Sequence, residues 1–207
     1  NRLDENFTLT AGFDGRYYRG DHYKEVYSLL GGQNFQSLLF QSQVDGGKTA
    51  LNKGDKYDYH NIGEVVWAGL FAQGEFTSEM FDAFLSGSLT YEGYRYLVPE
   101  GYSTTNHANF LSNPLYGPDF VKRTASDRVN LMPWSIKAGA SYKFLNYNNF
   151  FFNAGYFTRA PKFAGAFLNY STQINKHLTN EKIMTVELGY GFQNEVFRAN
   201  LNGYFTK

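Results

Sequence analysis

Four histidines are the first residues whose chemistry could serve a site: His22, His60, His107 and His177. Two of them stand beside a polar neighbour, in the dipeptides Asp21-His22 and Tyr59-His60, and either pair could contact a metal chelate. All four fall in segments that read as loops, where isolated histidines are mostly solvated. The chain has no cysteine, which excludes disulfides and thiolate metal sites. The sequence therefore predicts no metal site.

Enzyme motifs are missing throughout the sequence. The segment FLSGS (84–88) lacks the first glycine of a nucleophile elbow. The zinc-protease motif H-E-x-x-H, the P-loop and the dinucleotide fingerprint are also absent. We therefore expect a protein that is not an enzyme, with neither catalytic residues nor a cofactor.

The remaining candidate residues fit ligand binding better than catalysis. Tyr59, His60 and Trp67 stand near the base of a long loop and could stack on a sugar or an aromatic ligand. Arg159 follows an aromatic run and would stand at the rim of a polar interior. The alternative is that these are ordinary loop aromatics and solvated charges. Lys137, Glu187 and Arg198 would line the same interior, where they would serve hydration, docking or substrate passage.

Composition favours a β-rich protein. Aromatic residues make up 19% of the 207 residues, and 21 glycines accompany only 5 prolines. The formal net charge is zero, so we expect no nucleic-acid partner and find no overall electrostatic case for an anionic membrane surface. No run approaches the roughly 18 apolar residues of a membrane helix. The chain opens on Asn1 without an initiator methionine, which indicates a section of a longer protein.

Apolar and polar residues alternate with a period of two, the pattern of strands. In FFFNAGYFTRAP, for example, Phe150, Phe152, Ala154 and Tyr156 share one face, and Pro161 ends the strand because it cannot donate to a ladder. The pattern predicts seven strands, at 6–18, 64–76, 80–96, 134–144, 150–159, 184–192 and 197–205.

The connections between these strands alternate between long and short. Long loops at 20–60, 97–131 and 160–180 alternate with tight turns. In an antiparallel meander, all long loops then fall at one end. Structureless loops of this length are uncommon in compact soluble domains, whereas outer-membrane barrels have this asymmetry. The sequence predicts an all-β, antiparallel up-and-down meander that forms part of a transmembrane β-barrel.

Aromatic residues stand where the membrane interfaces would lie. They bracket the tight turns, and a second set stands at the long-loop ends: Phe76, Phe81, Phe144, Tyr147, Phe150, Phe192 and Phe197, then Tyr17, Tyr18, Tyr91, Tyr94, Tyr96, Tyr156 and Phe157. Two such belts are typical of aromatic girdles. Strand propensity alone is the alternative explanation. We expect one set of side chains to face lipid (Ile136, Ala138, Phe152, Val186, Leu188 and Leu201) and another to face the lumen (Lys137, Asn153, Glu187 and Asn200).

The strings NAGYFTRAP, FLNY and NEKIMTVELGYGF, followed by FRANLNGYFTK, resemble late barrel strands of TonB-dependent outer-membrane receptors, especially those of Bacteroidetes. LTAGFDGRYYRGDHYKEVYSLLGG is similar to an earlier strand and loop of that family. The resemblance covers nearly all of 1–207, but neither the plug domain nor the TonB box is found. It implies an internal section of the barrel, whose family has 22 strands and a plug.

The resemblance also implies a function and partners. A receptor of this family imports a scarce nutrient (a metal chelate, cobalamin or an oligosaccharide) across the outer membrane of a Gram-negative cell, with energy delivered by TonB. Its partners would be membrane lipid and lipopolysaccharide, the TonB complex through the missing N-terminus, a possible surface lipoprotein, and the small-molecule or oligosaccharide substrate. Two alternatives remain open: a soluble lipocalin-like ligand-binding barrel, whose apolar face would point inward, and a section of a passive porin.

Overall fold

The chain is all-β in a computed structural model that describes residues 5–36, 50–99, 125–168 and 171–207. Seven strands are long: β1 (Phe7–Glu25), β4 (Lys56–Thr77), β5 (Phe81–Leu97), β7 (Trp134–Phe144), β8 (Asn148–Arg159), β9 (Glu181–Gln193) and β10 (Arg198–Thr206). Three are short: β2 (Phe35–Gln36), β3 (Ala50–Leu51) and β6 (Val129–Leu131). Within the described residues, one short helical turn, α1, spans Phe163–Ala166.

The long strands form one antiparallel sheet in the order β1-β4-β5-β7-β8-β9-β10. This order confirms the predicted meander, in which each long strand pairs with the next long strand along the chain. The connections that follow β1, β5 and β8 therefore leave at one end of the sheet, called here the loop end. The turns that follow β4, β7 and β9 lie at the other end, the turn end. β6 adds a short pairing to β5, and β2 pairs with β3 in a separate small sheet.

Each tight turn is closed by local hydrogen bonds. After β4, the Ser78 hydroxyl accepts from the backbone N–H of Phe81 at 3.0 Å. After β7, Leu145 and Asn146 adopt positive φ angles of 48° and 59°, a conformation that asparagine tolerates better than most residues. After β9, the Asn194 side chain accepts from the N–H of Phe197 and of Val196. These local bonds let three connections reverse the chain within a few residues.

The prediction of a loop over 20–60 was wrong at both ends. β1 continues to Glu25 and β4 begins at Lys56, with pairing that runs on to Tyr23 and His60 and a register shift just beyond them. His22 and His60 therefore lie in strands, not in loops. The cause is that both faces of these extensions are polar, so no period-two pattern marks them.

The other two predicted loops also contain regular structure. β6 lies within 97–131 and pairs with Glu92–Tyr94 of β5. α1 lies within 160–180, where its four residues are too few to give a helical period. The remainder of 97–131, from Glu100 to Thr124, lies outside the described residues.

The register divides the sheet into two faces. Ala138 pairs with Ala154, Ala154 with Val186, and Val186 with Phe205, so these residues share one face, called here the apolar face. The opposite side is called the polar face. The predicted facing is confirmed as an alternation: Ile136, Ala138, Phe152, Val186, Leu188 and Leu201 lie on the apolar face, and Lys137, Asn153, Glu187 and Asn200 on the polar face.

The buried core is small and lies at the loop end. One cluster combines residues of β5 and β6 with the β8–β9 connection: Tyr94, Tyr96, Val98, Val129, Leu131, Ala160, Ala166 and Phe167. A second, smaller cluster joins Val26 and Leu51. Among the described residues, no helix has the length and apolar character needed to cross a membrane.

Candidate functional site

The apolar face is left uncovered by the described parts of the chain. Leu188 is 63% exposed, Leu201 75% and Phe13 72%. A shallow groove of about 620 Å³ crosses this face between the β5–β7 and β9–β10 regions, lined by residues that include Phe81, Phe150, Phe152, Leu188 and Leu201. A water-facing sheet would carry polar side chains here, so this face is built for an apolar neighbour.

An aromatic row borders the apolar face at the turn end. Phe81 pairs with Tyr142, Tyr142 with Phe150, and Phe150 with Tyr190, which places one aromatic side chain on each of four consecutive strands. Ring centroids of Phe150 and Tyr190 are 5.3 Å apart. Phe76 also lies in this row, beside Phe81, and the centroids of their rings are 6.4 Å apart.

A second aromatic row borders the same face toward the loop end. It consists of Tyr17, Tyr91, Trp134 and Tyr156, in which the rings of Trp134 and Tyr156 are 5.3 Å apart. Phe81 and Tyr91 mark the two rows on β5, and ten residues at about 3.3 Å each separate them by about 33 Å along the strand. We call the part of the apolar face between these two rows the band.

Charges appear on the apolar face only beyond this band. Within the described strands, the residues between the two rows on this face are all uncharged: Leu9, Ala11, Phe13, Gly15, Leu70, Ala72, Ala83, Leu85, Gly87, Leu89, Ile136, Ala138, Ala140, Phe152, Ala154, Val186, Leu188, Leu201, Gly203 and Phe205. The first charged residues past the band are Arg19, Glu64, Arg95 and Lys182. The band therefore has a sharp border at the loop end.

The predicted outer aromatic belt was partly wrong. Tyr18, Tyr94 and Tyr96 stand at the expected height but on the polar face, because each is an odd number of residues from an apolar-face residue of the same strand. Phe157 lies on the polar face too, together with Ser135. Tyr94 and Tyr96 are each only 5% exposed, inside the protein core. Proximity to a loop predicts the height of an aromatic residue along the strand. The face on which its side chain lies depends on whether it is an even or an odd number of residues from a residue of known facing.

The polar face carries hydrogen-bonded side chains across several strands. The Glu187 carboxylate accepts from the Asn153 amide at 3.1 Å and from the Asn202 amide at 2.7 Å, which links β8, β9 and β10. The Ser88 and Ser135 hydroxyls lie 2.7 Å apart between β5 and β7. Such cross-strand pairs leave a polar surface that is organised but still open to water.

Phenylalanine rings on the polar face lie flat against glycines of the neighbouring strand. Phe71 covers Gly12, Phe84 covers Gly139 and Phe151 covers Gly189, and in each case a Cβ atom on the glycine would overlap with the ring. Each phenylalanine is directly paired with its glycine. These glycines therefore leave room for the rings, which a side chain at the same positions would displace.

A folded connection covers the polar face at the loop end. We call the described residues of this connection, 160–168 and 171–178, the strap. Phe163 and Phe167 of the strap lie against Tyr96 of β5, with ring centroids 6.2 and 5.5 Å away. A Cβ atom on Gly63 of β4 would lie 3.1 Å from the Phe163 ring. The strap connects β8 to β9, yet it reaches past β7 to contact β5 and β4.

Tyr94 of β5 contacts the strap through its hydroxyl group. Its hydroxyl lies 2.6 Å from the Glu92 carboxylate and 3.0 Å from the carbonyl oxygen of Pro161. Burial, followed by the hydrogen bond to Glu92 and its negative charge, raises the pKa of Tyr94 above its ordinary value. The raised pKa keeps the hydroxyl protonated, and so a hydrogen-bond donor, further into the alkaline range than that of an ordinary tyrosine.

The predicted binding residues do not meet in one site. His60 lies 2.7 Å from the Asp21 carboxylate, on the side of the sheet that carries the apolar face. Trp67 lies on the polar face, 5.4 Å below the Arg16 guanidinium. Arg159 bonds to Glu181 across β8 and β9, with two strands between it and β4. The side chain of Tyr59 lies outside the described part of the structure.

Two features of the polar face were not predicted from the sequence. The Asn153–Glu187–Asn202 network and the strap both depend on residues far apart in the chain. The network could have been found from the predicted alternation, which places all three side chains on one face, if the strand register had been known. Within the described residues, no group of three or more histidine, aspartate or glutamate side chains could hold a metal ion.

No protein family, curated protein or solved structure matches this chain.

Proposed function

We propose that this chain is a section of a TonB-dependent receptor in the outer membrane of a Gram-negative cell, where it takes part in the import of a scarce nutrient. One observation carries the membrane part of the proposal: an exposed apolar face without charges lies between two aromatic rows and ends at a line of charged residues. Lipid removes that face from water, and the aromatic rows then stand at the two interfaces.

The backbone supports a strand crossing of the bilayer. Hydrocarbon offers no hydrogen-bond partners, so every backbone polar group inside it must be satisfied by the protein. β4, β5, β7, β8 and β9 have a hydrogen-bonded neighbour on both sides. β1 and β10 each pair on one side within the described residues, so we propose further strands of the same barrel beside them.

The position of the strap favours lipid on the apolar face over a soluble ligand-binding barrel. In a lipocalin-like protein, the apolar face would be the enclosed one. Here the chain encloses part of the polar face instead, where Ala166 of the strap is completely buried. The apolar face keeps its large side chains exposed.

Active import rests on the resemblance of the strand sequences to TonB-dependent receptors. The polar face offers amide, carboxylate and hydroxyl groups above flat phenyl rings, which suits passage of a hydrated solute. The substrate would be a metal chelate, cobalamin or an oligosaccharide. TonB, outer-membrane lipid and a surface lipoprotein are the proposed partners.

Uptake in cells tests this function. A strain without the gene and its parent are supplied with a ferric siderophore, haem, cobalamin or an oligosaccharide as the limiting nutrient. We expect the deletion to abolish uptake of one of them, and a proton uncoupler to have the same effect on the parent. Uptake that the uncoupler does not affect would indicate a passive pore, and unchanged uptake of all four would refute import.

A further inference from the structure

A row of charged residues crosses three strands just beyond the apolar band. Arg19 of β1 pairs with Glu64 of β4, and Glu64 pairs with Arg95 of β5. Paired residues in adjacent strands point to the same side of the sheet, here the side of the apolar face. Arg128, which immediately precedes β6, reaches the same carboxylate. Two guanidinium groups, those of Arg19 and Arg128, thus approach one acid, while the Nε of Arg95 donates to the carbonyl oxygen of Ser126 at 3.4 Å.

Glu64 organises these arginines without neutralising them. Its carboxylate lies 3.5 Å from the Arg19 guanidinium and 3.8 Å from that of Arg128, and the Tyr17 hydroxyl donates to it at 3.3 Å. Glu64 is 7% exposed, whereas the side chain of Arg19 is 54% exposed. Both ion-pair distances are longer than those of charge-assisted hydrogen bonds. The three arginines and the single glutamate leave a local charge of +2.

Arg128 adds a donor that the protein does not use. Its Nη1 atom is buried and has no hydrogen-bond partner among the described residues. A buried donor without a partner is destabilising, and an anion placed between Arg128 and Arg19 would supply one. The other nearby acid on this side, Asp21, has its carboxylate 2.7 Å from the Nε2 atom of His60.

The depth of the row matches that of lipid headgroups. Arg19 lies two residues beyond Tyr17 of the outer aromatic row, a distance of about 7 Å along the strand. The headgroup layer begins at the edge of the hydrocarbon and is several ångströms thick. Guanidinium groups at this depth, on the lipid-facing side, would be level with headgroup phosphates.

We propose that Arg19 and Arg128, with Arg95 beside them in the register, form a binding site for the phosphate of a membrane lipid headgroup, and that Glu64 positions Arg19 and Arg128. The site rests on the proposed membrane location of the chain. The planar guanidinium matches a phosphate through two parallel hydrogen bonds, which a solvated lysine would not provide.

Native mass spectrometry of the natural protein in neutral detergent tests the site. Lipid A with two phosphates and lipid A with one phosphate are titrated separately, and the bound fraction is counted. We expect the bisphosphorylated lipid to bind about tenfold more tightly to the wild-type protein. Equal binding of the two lipids would overturn the proposal without the use of any variant.

Two substitutions locate the site. We expect Arg19→Gln to weaken binding of the bisphosphorylated lipid about tenfold, while Arg128 remains beside the buried Glu64. Arg198→Gln removes the same charge from the polar face and should leave lipid binding unchanged. Equal losses in both variants, or no loss in Arg19→Gln, would refute a site at Arg19. Flotation of the wild-type protein with membranes separates this result from the proposed function, since failure to float would refute the membrane location itself.

Discussion

At the scale of single residues, phenylalanine rings pack on glycines across the polar face. Phe151 lies on Gly189, and the space above that glycine is filled by the ring. The sequence shows both residues but not their contact, because the pairing depends on a register between β8 and β9 that periodicity leaves open. A shift by one residue would exchange every face.

We expect Gly189→Ala to destabilise the folded protein by about 1–3 kcal/mol, because the added methyl group overlaps with the Phe151 ring. Gly203→Ala is the matched control, since no atom lies within 4 Å of its Cβ position. Unfolding by guanidinium chloride in lipid vesicles measures both. Addition of Phe151→Ala should recover part of the loss. Similar unfolding midpoints for Gly189→Ala and Gly203→Ala would contradict the packing of the Phe151 ring on Gly189.

The uncharged band gives a second prediction, which concerns depth. Val186 lies on the apolar face within the band, Met184 lies nearer its border, and Thr185 lies on the polar face. We expect Val186→Arg to destabilise the protein in lipid by about 2–4 kcal/mol, and Met184→Arg by about 0–1 kcal/mol. Thr185→Arg, which adds the same charge to the polar face, is the control.

The same folding measurement in vesicles reports all three arginine variants. An equal loss of folding free energy in Met184→Arg and Val186→Arg would show that the depth of the charge does not matter. A larger cost at Thr185 than at Val186 would place lipid on the other face.

At the scale of elements, the sequence predicted the strands well and their ends poorly. Inside the band, the contrast between apolar and polar residues is strong, and β7 was predicted at its observed bounds, Trp134–Phe144. Beyond the band, both faces of a strand are polar, so the extensions of β1 and β4 left no signal. The strap was read as a loop because its contacts with β4 and β5 are long-range.

We expect Phe167→Ala to loosen the strap while the sheet stays intact. Phe167 is 5% exposed and lies 5.0 Å from Phe163 and 5.5 Å from Tyr96 between ring centroids. Truncation of a buried phenylalanine costs about 3–5 kcal/mol, enough to open a small cluster. Hydrogen exchange should then accelerate at Leu168 and Asn175, whose N–H groups bond within the strap.

Leu168→Ala is the control for the strap, because Leu168 is already 37% exposed. Exchange in β7 and β8 should not change in either variant. Equal protection of the strap in the wild-type protein and in Phe167→Ala would mean that this ring does not hold it in place.

At the scale of the whole molecule, the alternation of loop lengths was enough to predict the meander. Three long connections separated by three tight turns allow a simple antiparallel order, and the sheet has that order. The candidate binding site was not predictable in the same way. Tyr59, His60, Trp67 and Arg159 were chosen for their chemistry, but the three whose side chains are described lie on different faces or strands. Chemistry identifies a useful side chain, whereas its neighbours depend on the register.

We propose that lipid covers the apolar face. A nitroxide scan of β7 in bilayers tests it most directly, with labels at Ser135, Ile136, Lys137, Ala138, Ala140 and Ser141. Collision rates are measured with oxygen, which concentrates in lipid, and with a water-soluble nickel chelate. We expect high oxygen accessibility at Ile136, Ala138 and Ala140, and high chelate accessibility at Ser135, Lys137 and Ser141. Chelate accessibility that is high at Ile136, Ala138 and Ala140, or equal at all six positions, would contradict a lipid-facing apolar face.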